Sequence, residues 1–321
     1  MGQHTFPPPL PEFEVRISAP DLYDWRAGNT GIPGVTTRDS GKPGPHAVLL
    51  AITHGNEIGG AIALDRLLRA GLMPSTGRIS FAFVNLAAYD RFDPAHPTAS
   101  RFIDEDLNRI WDESVLDGPR HSIELNRARE LRPLIDTADV VLDIHSMLWD
   151  ADPLMLCGGS ARGRDLARRI GSPPLIVADA GHVNGKRIID YTRFVEPEAS
   201  STANLVEAGQ HWQPSTVTVA LDCVAGLLRG MGMAGLDAPL PLAASIPQRM
   251  AEVTQTVTAL TGKFAFVQPW RGGDIVPTRN TLLALEGETE IRTPHDDCLL
   301  VMPSLRPTRG HTAVRLARFV G

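Results

Sequence analysis

The sequence predicts an α/β protein, with a three-layer domain on a mixed sheet over residues 1–232 and a small all-β domain of sandwich or barrel type over 245–321. Three observations carry this. Apolar runs at 47–52, 79–84 and 140–144, broken only by Ser80 and Asp143, are each one strand long and show no polar alternation, as strands covered on both sides must. Segments with helical spacing alternate with these runs, which layers helices over a central sheet. From Gly230 the composition changes: Gly232, Gly235, Pro239 and Pro241 mark a linker, and short alternating runs between turn residues follow.

Taken in order, residues 1–12 are proline-rich and expected as an extended arm, ahead of short edge strands at 14–18 and 34–37 that flank a loop at 25–33. Residues 46–57, His-Ala-Val-Leu-Leu-Ala-Ile-Thr-His-Gly-Asn-Glu, hold the central strand and deliver His54 and Glu57 into a turn. Ile58, Ile62, Leu64, Leu67 and Leu68 then space a helix that Gly71 stops. After the strand at 79–84, residues 85–119 are polar with little periodicity, and a loop of that length in a compact domain is usually functional. Ser122 caps a helix to about 135, and the strand at 140–144 ends at His145. Residues 153–157 lead into Gly158-Gly159-Ser160 and a helix at 161–170; the glycine spacing of a nucleotide fingerprint is missing, so this is a strand-to-helix turn capped by Ser160. Strands at 175–178 and 204–208 and a helix at 216–229 complete the layers. Beyond the linker, strands are expected at 252–257, 264–267, 281–285, 299–302 and 313–316.

With 321 residues, 43% hydrophobic and 21% charged, the chain can bury a sizeable core. No apolar run reaches the length of a membrane span and the first residues lack the regions of a signal peptide, so a soluble cytoplasmic protein without a membrane partner is expected. A net charge of −6 and the lack of a basic stripe with interleaved aromatics argue against nucleic acid as a partner. Cys157, Cys223 and Cys298 are far apart and odd in number, which fits reduced buried thiols rather than a disulfide framework or a zinc knuckle. Lys42, Lys186 and Lys263 are the only lysines, so an anion site must be built from arginine, whose planar fork suits carboxylates.

The carboxyl end of a strand in an open α/β sheet is where ligands bind, and a neutral imidazole and a carboxylate three positions apart there can close on one Zn²⁺. His145 ends another buried strand, 145 − 54 = 91 positions later, and completes a His₂Glu set with His54 and Glu57. One zinc ion per chain is the expected cofactor. His-x-x-Glu alone is weak evidence, because His121-Ser-Ile-Glu124 repeats it in a polar helix start, read here as an exposed helix entry. Asp143 reads as an acceptor that orients a ligating imidazole. On the residues alone, Arg101 and Arg109 read first as ion-pair partners of Asp104, Glu105 or Asp106 on a solvated loop, and Glu207 reads equally as a buried ion-pair partner. His182 and His211 read as satisfied polar residues near the site.

Four elements occur in order: His-Gly-Asn-Glu at 54–57, Arg-Phe-Ile-Asp-Glu-Asp-Leu-Asn-Arg at 101–109, Asp-Ile-His at 143–145 and Glu-Ala-Gly at 207–209. Over residues 46–212 the sequence thereby resembles the succinylglutamate desuccinylase and aspartoacylase group of zinc-dependent deacylases, distant relatives of the zinc carboxypeptidases. The resemblance implies a zinc-carboxypeptidase-like fold and hydrolysis of a small N-acyl amino acid or related N-acyl amine to a carboxylic acid and a free amine. It implies zinc on His54, Glu57 and His145, Glu207 as general base, Arg101 polarising the scissile carbonyl, and Asn108 with Arg109 gripping the substrate carboxylate. Aspartoacylases also recruit a second arginine shortly before the base and a late tyrosine. Arg193 is the nearest upstream arginine and the candidate for that place; no tyrosine follows Tyr191. Neither of the two named activities therefore follows.

Two other readings stand beside it: a carboxypeptidase-like peptidase, which needs an open groove, and a metal-free binding protein that keeps the fold. The C-terminal elements Gly-Gly-Asp-Ile-Val, Thr-Pro-His-Asp-Asp-Cys and Arg-Gly-His-Thr-Ala-Val resemble the β-sandwich halves of lipoyl and biotinyl carriers, but residues 286–292 lack the lysine a carrier needs. That domain is expected as a lid over the site or as the surface of a homo-oligomer.

Overall fold

A computed structural model describes residues 11–242 and 246–321, so most of the expected arm at 1–12, and Ser245 at the start of the expected second domain, lie outside the described residues. Fourteen strands occur in chain order among them: β1 Val35–Asp39, β2 His46–Ala51, β3 Arg78–Phe83, β4 Val140–Met147, β5 Leu154–Leu156, β6 Leu175–Ala178, β7 Thr202–Gln210, β8 Arg249–Thr258, β9 Phe264–Phe266, β10 Ile275–Val276, β11 Leu282–Glu286, β12 Thr289–Arg292, β13 Cys298–Val301 and β14 Thr312–Val320. Eleven of them form one mixed sheet in the order β1-β3-β2-β4-β7-β5-β6-β8-β14-β13-β10, and β12-β11-β9 form a separate antiparallel sheet.

β2 runs parallel to β3 on one side and to β4 on the other, and β4 is parallel to β7. Three strand ends that carry chemistry therefore stand side by side. Side chains alternate across a strand, and β2 shows the consequence: Ala47, Leu49 and Ala51 enter the core on one face, Val48 and Leu50 the core on the other. Burying a leucine in this way contributes about 1.5–3 kcal/mol. The first core is covered by the helices Ile58–Arg69, Ala161–Ile170 and Pro214–Gly230, and the second by Ile123–Asp136. Ser160 and Ser122 cap their helices as expected, accepting from the amides of Gly163 and Leu125.

The chain after the linker is joined to the rest by the large sheet, since β8 pairs in parallel with β6. It also has an apolar cluster of its own around Val257, Leu283, Leu300 and Leu316. Residues 14–18 form no strand; the backbone amide of Arg16 donates to the carbonyl of Trp212, at the end of the loop after β7, instead of to a strand. The three cysteines are free and buried. Among the described residues, no helix is long and apolar enough to cross a membrane.

Candidate active site

β2 ends at Ala51, and the next residue, Ile52, has φ +53°. For a β-branched residue this left-handed conformation costs on the order of 1–3 kcal/mol and needs support from its surroundings. That support is visible: Thr53 Oγ1 donates to Asp143 Oδ1 at 2.8 Å, and the Gly55 amide donates to the Arg101 carbonyl at 3.0 Å. Gly55 must be glycine, because a Cβ there would stand 2.4 Å from the backbone of Ala88. Held in this way, His54 and Glu57 are 3% and 2% exposed, beside His145 at the end of β4, also 3% exposed.

His54 Nδ1 lies 2.7 Å from Glu57 Oε1, His145 Nδ1 lies 3.0 Å from Glu57 Oε2, and the two Nδ1 atoms are 3.2 Å apart. The outer nitrogens face carboxylates: His54 Nε2 is 2.9 Å from Asp106 Oδ1 and His145 Nε2 is 2.8 Å from Asp143 Oδ2. Arg101 Nη2 also reaches His54 Nε2 at 2.9 Å. The tautomers in which both Nε2–H groups face the carboxylates leave both Nδ1 lone pairs converging beside an ionised carboxylate, which is the donor set and outer support of a zinc site. Burial alone would raise the Glu57 carboxyl, but the two imidazoles hold it well below its ordinary value. Burial likewise works against charge on His145, yet Asp143 and Glu57 hold its pKa well above the ordinary value. A spot that so favours one positive charge fits a cation.

Glu207 projects from β7, in register with His145 on β4. Its Oε2 is buried with no hydrogen-bond partner, and burial with repulsion from Glu57 pushes its carboxyl up to about 8. Arg101 donates to Glu57 Oε1 at 3.2 Å and to Asp106 Oδ2 at 3.1 Å, so it is at once the ion-pair partner and the cavity residue that were alternatives. Asn108 accepts the Ile188 amide at 2.8 Å, which turns its Nδ2 toward His145 Nε2 at 3.3 Å. Arg109 donates to the Asn108 carbonyl at 2.7 Å; burial, with the charges of Arg101, Arg187 and Arg315, lowers its pKa to about 10.

These residues line one cavity of about 520 Å³, and one wall comes from Met302, Pro303, Ser304, His311, Thr312 and Arg315, after the linker. Arg193 is not in it: its Nη2 donates to the Ala138 carbonyl at 2.9 Å, so the place expected for it is corrected. The upstream arginine that does face the cavity is Arg187, forked onto Asp179 at 2.8 and 2.9 Å. His211 is satisfied by Ser146 Oγ at 2.8 Å and kept neutral, burial depressing it to about 4.

Glu124 corrects a second expectation. It is not an exposed helix entry but 0% exposed, and its carboxylate accepts the amides of Ile103, Asp104 and Glu105 at 2.7, 3.0 and 3.2 Å and Asn85 Nδ2 at 3.2 Å. It thus anchors the loop that carries Arg101, Asp106, Asn108 and Arg109. Each donor left buried without a partner costs about 1–3 kcal/mol. Glu124→Ala is expected to destabilise by at least ~2 kcal/mol, and Glu124→Gln by less, since one acceptor oxygen remains. Urea titration of both variants measures this, and an unchanged midpoint would refute the anchor.

Residues 43–151 match the family described as the succinylglutamate desuccinylase/aspartoacylase catalytic domain. None of the curated proteins compared with the chain matches it. Solved structures similar to it include succinylglutamate desuccinylase from Vibrio cholerae (TM-score 0.65, 16% identity, 89% of this chain and 85% of that one). Another is the succinylglutamate desuccinylase/aspartoacylase from Rhodobacter sphaeroides (TM-score 0.64, 18% identity, 89% of each chain). A third is the product-bound ectoine utilization protein EutE (DoeB) from Ruegeria pomeroyi (TM-score 0.61, 18% identity, 89% and 88%). At these identities the likeness to solved structures shows the fold.

Proposed function

We propose, from the premise that this chain belongs to the succinylglutamate desuccinylase/aspartoacylase family of deacylases, that it is a zinc-dependent hydrolase of the amide bond of a small N-acyl amino acid or related N-acyl amine. The observation that carries this reading is the convergence of His54 Nδ1, Glu57 and His145 Nδ1 beside Glu207, whose buried Oε2 has no hydrogen-bond partner. His54, Glu57 and His145 would hold the ion, which when bound supplies Lewis acidity and lowers the pKa of water toward ~7.

The chain's own residues do the rest. Glu207 takes the proton of the attacking water and returns it to the leaving nitrogen. Arg101, fixed by Glu57 and Asp106, presents a charged donor to the oxygen on which negative charge develops. Asn108 is pinned through its amide oxygen, which accepts the Ile188 amide, and its backbone carbonyl accepts from Arg109. Arg109 faces the substrate carboxylate.

The wall after the linker disfavours the peptidase reading, because it closes one side of a cavity whose volume suits a small ligand. The test is to assay zinc-loaded protein against a panel of N-acetyl, N-succinyl and N-formyl amino acids, following release of the amine. Release from none of them would refute the reading.

Arg109 gives a sharper prediction. Truncating one partner of a buried charged pair costs about 2–5 kcal/mol, so Arg109→Ala should lower kcat/KM at least ~30-fold at about 1.4 kcal/mol per tenfold. An amide analogue that lacks the substrate carboxylate should lose the same contact. The four combinations of wild type or variant with acid or amide should therefore show non-additive losses. Multiplicative losses would place Arg109 away from the carboxylate.

A further inference from the structure

We infer that Arg315, which β14 brings to the cavity from the chain after the linker, is a specificity-determining residue that closes with Arg109 on a single carboxylate of the substrate. This rests on the reading that Arg109 faces that carboxylate. Arg315 is only 6% exposed and lines the cavity, and its Nε has no hydrogen-bond partner. The nearest carboxylate oxygen, Asp179 Oδ2, is 3.7 Å away, beyond hydrogen-bond reach. Asp179 is already used: both its oxygens are taken by the fork of Arg187, whose Nε is also bound to Asp190 at 2.7 Å. A purely structural arginine would be expected to claim a free acceptor, and this one has none.

Charge counting says how many anions the place can take. Arg109, Arg187 and Arg315 bring three positive charges, each acting on the next, and Asp179 and Asp190 bring two negative ones. Asp106 is engaged by Arg101 and His54. His182 adds no charge, because burial and the three arginines hold it down to about 3. Among these five side chains one positive charge is in excess; Glu207 also acts on Arg315, but from the position assigned to proton transfer. A buried excess charge is costly, and one carboxylate relieves it, whereas two would reverse the imbalance. Arginine suits this task because its fork can give a carboxylate two parallel charged hydrogen bonds.

The experiment uses zinc-loaded full-length protein and two probes, N-acetylglycine and its uncharged counterpart N-acetylglycinamide, with binding measured by calorimetry. Wild type should prefer the acid. Arg315→Gln should weaken the acid at least ~30-fold and leave the amide unchanged; Arg315→Lys, which keeps the charge but not the fork, should fall between. The Lys variant carries the test if the Gln variant does not fold. Arg279→Gln, at an exposed arginine of the same C-terminal segment, should bind like wild type. A purely structural Arg315 would shift the Tm of the free variant without changing the difference between acid and amide. No acid preference in wild type, or equal weakening of acid and amide in Arg315→Gln, overturns the inference. If the preference is present and lost with Arg315, while no N-acyl substrate releases an amine, the assignment of Arg315 stands and the deacylase reading falls. Turnover with an acid preference indifferent to Arg315 sinks the inference alone.

Discussion

His54→Ala and His145→Ala are expected to lose most of the bound zinc and, with it, turnover, while wild type carries about one zinc per chain, three ligands of this kind normally sufficing for a catalytic site. Each imidazole contributes one of the two ring nitrogens at Glu57, at 2.7 and 3.0 Å; the other nitrogens there, of Arg101 and the Ser146 amide, are donors without a lone pair for a metal. Removing either leaves two protein ligands, one fewer than a catalytic zinc site normally has. Chelation should silence wild type, and returning zinc should revive it but neither variant. Elemental analysis measures the metal directly. Full metal content in both variants would dissolve the assignment whatever the activity.

Much of this site was legible in the sequence because it depends on local pattern. The unbroken apolar run at 47–52, and the run at 140–144 interrupted only by Asp143, read as strands covered on both faces, and that places His54 and His145 at neighbouring carboxyl ends. The same logic gave β3 and the helices between the strands. What was not legible depends on where distant segments meet. His121-Ser-Ile-Glu124 looks like a solvated helix start, since the three amides that bury Glu124 come from residues 103–105 and their approach leaves no periodic trace. Arg193 and Arg187 are six residues apart in the sequence, 193 − 187 = 6, in a stretch without clear period, and only the tertiary fold turns one into the cavity and the other toward Ala138. Arg315 lies in a run that alternates like any half-buried strand, so a guanidinium facing inward is invisible until β14 is seen to continue the main sheet. β10 escaped because it is only two residues long, and β12, Thr289–Arg292, because Glu290 and Arg292 make it read as part of a polar turn.

Glu207→Gln separates the base from the ligands. The amide has the same size but cannot accept and return a proton, so turnover should fall roughly 10²–10⁴-fold, the usual contribution of a positioned proton-transfer group. Zinc should stay, because Glu207 is not one of the three side chains whose donor atoms converge. The fold should stay too, and its stability gives a second sign to check. Glu207 is buried, without a partner for Oε2, and repelled by Glu57. Above pH ~8, where the Glu207 carboxyl is ionised, a neutral side chain of the same shape removes that repulsion, and below it both side chains are neutral, so the Tm of the variant should be no lower than that of wild type. The three readings discriminate among the alternatives: lost zinc would make Glu207 a ligand, a lowered Tm would make it a structural partner, and unchanged turnover with zinc and Tm intact would move the base elsewhere in the cavity. Only slow turnover in a metal-loaded, fully stable protein assigns the proton transfer to Glu207.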